Sequence, residues 1–294
     1  MNIDTVNSST NNLPARMSAA QREALISLLA DEDPAVFETV RQKLLACGHE
    51  AADWLRPHEL SPDPLLRRRA IAIRQHFARQ DADNEFLTFC LRQADDFDLD
   101  DGLWLLARTR YPEINVDAYR ALLDGFARDL FTEIGAARDS SLLLATLNDY
   151  LFNKQKFTGN EQNYYDPDNS YLNRVLDRRT GNPISLCTVY LLICRRLRLP
   201  VVGIGLPGHF VCRYQSLTEV VYIDVFNQGR LLTKADCIKF LHHNHHGLYD
   251  EFLTPVSHRR MLMRMCSNLH QIYQQTGPQP EAVRLQRYLV ALAR

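Results

Sequence analysis

Apolar positions recur at intervals of three and four residues through most of the first half of the chain, the period of amphipathic helices. Ser18 starts the first such stretch, with Leu25, Leu28 and Leu29 on its apolar side. Asp33-Pro34-Ala35-Val36 and Asp63-Pro64-Leu65-Leu66 then open two helices thirty residues apart. In each, aspartate suits the capping position and proline the first helical position. The first of these ends at Gly48, and the second continues as LLRRRAIAIRQHFARQ. Further helical spacing covers Glu85 to Ala94, Asp101 to Thr109, Val116 to Phe131 and Ser140 to Phe152, with Tyr111-Pro112 breaking the second from the third.

Beyond residue 180 the pattern changes. Gly181-Asn182-Pro183 marks a loop turning into a helix, with Asn182 placed to accept hydrogen bonds from first-turn N–H groups. Ile184, Cys187, Leu191 and Cys194 follow at helical spacing with apolar residues between them, which predicts a helix buried on most of its surface. Pro200 ends it. Val201 to Leu206, His209 to Tyr214 and Val220 to Val225 read as strands, with Pro207-Gly208 as a turn. His209, Val211 and Arg213 share one face of their strand; Val220, Tyr222 and Asp224 share one of theirs. Antiparallel pairing makes His209 and Asp224 neighbours. Thr233-Lys-Ala-Asp236 starts a helix reaching about His242. Ser257 to Gln275 is amphipathic, Gly277-Pro278 turns the chain, and Glu281 to Ala293 is a final helix.

Composition narrows the class without naming a function. An apolar fraction of 46% and a charged fraction of 23% over 294 residues fit a globular protein of two domains. A net charge of −1 argues against a dedicated nucleic-acid surface, and no apolar run is long enough to cross a bilayer. The opening MNIDTVNSSTNN lacks the basic and apolar regions of a signal peptide, and residues 1–16 read as a disordered tail. Seven scattered cysteines with no CxxC fit reduced thiols in a cytoplasm. Arg67, Arg68, Arg69, Arg74 and Arg79 read first as a solvated helix face, and otherwise as a surface for an acidic partner. The acidic run DDFDLDD lacks the ligand order of a calcium loop and reads as a loop and helix cap. The cluster from His242 to His246 has no intervening glutamate and reads as solvated or capping, so no metal or other cofactor is expected.

Four pieces in order carry a family resemblance: YYDPDNSYLNRVL, RRTGNPISL, LPGHF and YID-x-F-x-x-G. Together they resemble the SirB-type bacterial branch of the transglutaminase-like superfamily, relatives of the papain-type cysteine enzymes. The resemblance implies an α+β core, a helix packed on an antiparallel sheet. It also implies, for active members, a Cys at the helix start, a His on the next strand and an Asp on the one after. A thiolate there is stabilised by the helix N-terminus and an imidazolium, and the carboxylate fixes the imidazole tautomer. His209 and Asp224 fall at the His and Asp positions, but the Cys position falls on Pro183. The first available thiol, Cys187, lies about 6 Å further along the helix. Val225 is a second departure, where relatives read Asp-Pro-Phe.

The plainer readings stand beside these. Cys187 is a small core residue on composition alone. His209 could satisfy a turn hydrogen bond. Asp224, in an apolar strand, needs a partner, and His209 is the obvious one. Tyr164, Tyr165, Asp166 and Asn169 read as an ordered turn and then as a pocket wall, with Asn169 or Asp168 capping a helix from Tyr171 to Arg178. The pocket is expected to be lined by Asn182, Pro183, Tyr165 and Asn169.

The expected organisation is a tail over 1–16, a helical HEAT-like domain over 17–134, the core over 135–254 and a TPR-like hairpin over 255–294. The leading functional expectation is a non-catalytic interaction or regulatory protein with a protein or peptide partner. The alternative is a cysteine-dependent acyl transferase or amide hydrolase, with Cys187 as nucleophile, His209 as base and Asp224 as orienter. A nucleic-acid-associated regulator is the weaker third.

Overall fold

The computed structural model describes residues 17–92, 98–135, 139–243 and 250–294. The 1–16 tail, Asp95 and Asp96 of the acidic run, and His245 and His246 of the histidine cluster lie outside the described residues. The chain forms two compact units that part between Gln80 and Asp81. That division differs from the boundary expected near Gly135, because the helices after residue 98 share one core with the sheet.

The first unit holds α1 (Ala19–Ser27), α2 (Pro34–Ala46), α3 (His49–Leu55) and the opening turns of α4 (Pro64–Cys90). The two Asp-Pro starts behave as read. Asp33 accepts a hydrogen bond from the Ala35 N–H at 2.8 Å, and Asp63 accepts one from the Leu65 N–H at 2.8 Å. Ile26, Leu29, Leu44, Leu55, Ile73 and Phe77 meet in a small core. Arg69 is not a solvated cation: it donates to the main-chain carbonyls of Leu29 and Asp31 and lies over the Phe37 ring. α4 runs unbroken to Cys90, so the helices expected on either side of residue 80 are one; the intervening QDADN has no proline or glycine to stop it.

The second unit adds α5 (Leu99–Arg110), α6 (Val116–Ile134) and α7 (Ser140–Asn148). Asp98 caps α5 by accepting from the Asp100 N–H at 2.8 Å, and it also accepts two hydrogen bonds from Arg195. The chain leaves α7 through a wider helical turn over Asp149–Lys154 that buries Tyr150, Leu151 and Phe152. A two-residue parallel pair follows, β1 (Thr158–Gly159) with β2 (Thr180–Gly181), and between them lies α8 (Leu172–Arg178). α9 (Pro183–Arg196) is the central helix, with eleven of its fourteen residues buried. It packs on an antiparallel sheet of β3 (Val201–Ile204), β4 (Val211–Gln215), β5 (Val220–Asp224) and β6 (Arg230–Leu232), which lie side by side in chain order. This is the α+β arrangement the sequence implies. After the sheet come α10 (Lys234–His243), α11 (His258–Thr276) and α12 (Gln279–Leu292).

α11 and α12 pack on each other and feed Met261, Met265, Leu269, Leu285 and Tyr288 into the same core as α9. The buried Arg259 fastens the pair: its guanidinium donates to the carbonyls of Ala291 and Leu292 at the end of α12, where those acceptors lack helical partners. The hairpin therefore closes the core.

Candidate functional site

The start of α9 is fixed by reciprocal caps. Asn182 Oδ1 accepts from the Ser185 N–H at 3.0 Å, and Ser185 Oγ accepts from the Asn182 N–H at 3.0 Å. Pro183 occupies the first helical position, where its missing N–H leaves nothing unsatisfied. The Asn182 amide also donates to Ser170 Oγ at 2.8 Å, which ties the helix start to the segment before α8.

Asn169 secures that segment from below. It is wholly buried; its amide donates to the carbonyls of Asn163 and Tyr164, its Oδ1 accepts from Asn160, and its own carbonyl accepts the Asn182 N–H. Asn169 is thus a support for the Tyr164–Tyr165 turn and lines neither of the clefts at His209. Neither it nor Asp168 caps α8, whose capping residue is Tyr171 with no side-chain bond. Asp168 instead pairs with Arg174, while Asp166 caps the short turn Pro167–Asn169.

His209 lies two residues before β4, in the turn made by Pro207 and Gly208, and not on the strand itself. Gly208 takes φ +72°, the left-handed region glycine adopts without strain, and the His209 N–H closes the turn onto Leu206 O at 3.1 Å. The main chain satisfies the turn, so the ring is free for other work. Its Nε2 lies 2.9 Å from Asp224 Oδ1 at the end of β5. Cys212 pairs with Ile223, so Asp224 is one step beyond that pair and His209 meets it on the diagonal.

Asp224 is 7% exposed and also accepts from the Asn227 side chain at 2.7 Å and the Asn227 N–H at 3.3 Å. Burial pushes its carboxyl up, but the hydrogen bonds from His209 and Asn227 outweigh that and hold it below the ordinary aspartate value. The His209 ring stands edge-on to Phe226, with centroids 6.2 Å apart, and tilted against Phe240 at 5.8 Å.

Cys187 is elsewhere. It has no exposed surface, and its Sγ points at the carbonyl of Phe210, 3.5 Å away, inside the core that α9 shares with the sheet. The thiol therefore lines neither cleft around His209. Val225 is a core residue too, 2% exposed.

Two open clefts meet at His209, Tyr164 and Pro183. One, of about 270 Å³, runs between the start of α9 and α11, past Tyr165, Asn182 and Arg264. The other, of about 620 Å³, lies on the Asp224 side, past Phe226, Arg230 and Phe240. Asn182, Pro183 and Tyr165 line the first of these clefts. Arg264, Asn268 and Gln271 line it as well, and the sequence pattern does not single them out. Their spacing of four and three is legible, but on a strongly amphipathic helix it reads as an ordinary polar face. Among the described residues no group of three or more His, Cys, Asp or Glu side chains could hold a metal ion, and no helix is long and apolar enough to cross a membrane.

The start of α9, the His209 turn and the end of β5 thus border the same two clefts. The chain belongs to the transglutaminase-like superfamily, whose profile matches residues 117–267, just over half of it. It is 36% identical over 186 residues to a UPF0162 protein of Xylella fastidiosa (strain 9a5c), an alignment covering 61% of this chain and 66% of that protein, just under two thirds. It is 28% identical over 194 residues to a UPF0162 protein of Pseudomonas aeruginosa, covering 64% and 69%. It is also 34% identical over 146 residues to F-box only protein 21 of Homo sapiens, covering 47% of this chain and 23% of that one. No solved structure matches at a comparable level.

Proposed function

We propose that this chain is a non-catalytic member of the superfamily, of the SirB type, that binds a peptide segment in the cleft above Pro183 without transforming it. The carrying observation is Pro183 at the helix start, with the nearest thiol along α9, Cys187, buried and turned to Phe210 O. Acyl transfer needs a nucleophile within hydrogen-bonding reach of its base and hydrogen-bond donors for the developing oxyanion. Pro183 supplies neither sulfur nor an N–H at that point. The cleft, the His209–Asp224 pair and the braced Tyr164–Tyr165 turn nonetheless form a concave site with convergent polar groups.

In this reading the first helical unit serves as a HEAT-like interaction module and the α11–α12 pair as a single TPR-like hairpin. The seven free thiols suit a reducing cytoplasm. Arg69 and Arg74 are engaged by main-chain carbonyls and by Glu59, which leaves less of the arginine stretch for a phosphate backbone.

The test is covalent labelling. The native protein is incubated with a peptidyl vinyl sulfone and its intact mass is followed. The expected result is no adduct at Cys187. An adduct there that vanishes in His209→Ala would establish the cysteine enzyme instead.

A further inference from the structure

The two clefts at His209 form one groove. Tyr164, Pro183, Gly208 and His209 line both, so no wall divides them there. A chain lying over Pro183 therefore runs on into the first cleft on one side and the second on the other. Such a passage suits an internal segment, which needs an exit at each end.

A rank of rings follows the groove. Tyr165 stands edge-on to Tyr164 with centroids 5.3 Å apart, and Tyr164 edge-on to Phe226 at 6.2 Å. Phe226 meets His209, and His209 meets Phe240, as described above. Tyr164 is 39% exposed and Tyr165 59%, while Phe226 and Phe240 are half-buried. Rings set edge to face leave furrows between them, and a row of part-exposed rings in a concavity is apolar surface for a guest to cover.

The polar groups of the groove favour a guest rich in acceptors. No aspartate or glutamate lines the first cleft among the described residues, whereas Arg264, Asn268, Gln271 and Tyr165 all carry side-chain donors. The carboxylates of the second cleft are already engaged, Asp224 by His209 and Asn227, and Asp236 by Thr233. An ordinary peptide residue brings an N–H with each carbonyl, but proline brings the carbonyl alone. In the polyproline II form the backbone makes no internal hydrogen bonds, so each carbonyl is open to a donor. Its side chains recur three to the turn, and aromatic-lined grooves hold such segments because they are already extended before binding.

We infer that the groove takes an internal proline-rich segment in the polyproline II form, its pyrrolidine rings against Tyr165, Tyr164 and Phe226 and its carbonyls toward Asn268 and Gln271. This rests on the peptide-binding reading above and specifies the class of peptide that is held.

The experiment titrates the full chain by calorimetry with peptides of equal length, acetylated and amidated so that neither end is charged. One repeats Ser-Pro-Pro, a second Ser-Ala-Ala, and a third Ser-Leu-Ser, which offers apolar side chains without proline. The proline peptide should bind at least about tenfold more tightly than either control, the scale of one aromatic contact or two. Tyr165→Ala, at an exposed position that spares the fold, should weaken it about tenfold, and Tyr165→Phe should keep most of the affinity because the ring makes the contact. Gln271→Glu replaces a donor by a carboxylate at an exposed position and should also weaken the proline peptide. Controls that bind as tightly as the proline peptide overturn the proline reading and leave a peptide groove standing. Proline binding unchanged by both Tyr165→Ala and Gln271→Glu puts the site elsewhere and overturns it too. Absence of binding throughout the set overturns both readings.

Discussion

Asn227 donates its side-chain N–H to Asp224 Oδ2 at 2.7 Å, while His209 engages Oδ1 of the same carboxylate. The carboxylate is therefore held from two sides, and its orientation does not depend on the imidazole alone.

The first prediction concerns pH. The folded carboxyl of Asp224 titrates below its unfolded value of about 3.9. Its stabilisation is complete above that value and is lost as pH falls through the lower folded one. Asp224→Asn should cost about 1–3 kcal/mol at pH 7, the scale for hydrogen bonds to a charged group. The gap from wild type should narrow below about pH 3.9. Urea unfolding of both proteins at the two pH values measures it, and a gap that stays constant would mean that the ionised carboxylate is not its source.

Restoring a thiol at the helix start is the second. Pro183→Cys places sulfur beside His209, at the N-terminus of a fourteen-residue helix. Both features stabilise a thiolate. The variant should be alkylated by iodoacetamide at pH 6 about tenfold faster than an ordinary thiol, which has a pKa of about 8.5. Adding His209→Ala should remove most of the acceleration. An ordinary rate in the single variant would mean that the ring does not reach the helix start.

Thiol counting gives the third. Six of the seven cysteines are buried and Cys47 is partly exposed. Burial raises the Cys47 thiol and pushes Cys194 and Cys212 up further. Native protein treated with a coloured disulfide reagent should release about one equivalent, slowly, and Cys47→Ser should abolish it, because reaction requires an accessible thiolate. The rest should react only after unfolding.

The fourth addresses the turn. Asn169→Ala removes three side-chain hydrogen bonds in a wholly buried position. The loss should be about 2–4 kcal/mol, summing bonds of about 1 kcal/mol each and a small cavity. Hydrogen exchange at residues 163–165 should quicken more than in the sheet; uniform quickening would make the residue an ordinary core contributor.

What the sequence made legible follows from what is local. Helix starts at Asp33, Asp63 and Asn182 are written in short capping patterns, and each forms as read. The opposition of His209 and Asp224 was accessible because strand alternation and a short turn nearly determine it. Its detail was not: the Gly208 turn takes His209 out of the strand, so the pair meets diagonally. The division of the chain depended on whether α5 and α6 share a core with α9, and Trp104, Phe126 and Ile193 meet only in three dimensions. Asn169 looked like a cap because asparagine before a helix usually is one. The partners of its side chain lie between five and nine residues away, beyond any spacing rule. Arg264 was hidden for the opposite reason. Helical periodicity says which face a residue occupies, and not that its guanidinium meets the His209 carbonyl and the Phe210 ring.

The pyrrolidine ring of Pro183 borders both clefts at His209. On the proposed peptide-binding function, a guest resting on hydrocarbon there would be neither cleaved nor consumed and would depart in the form in which it arrived. Occupancy would then track the guest's free concentration at equilibrium, and the protein would work as a gauge of its ligand where a thiol in the same place would deplete it.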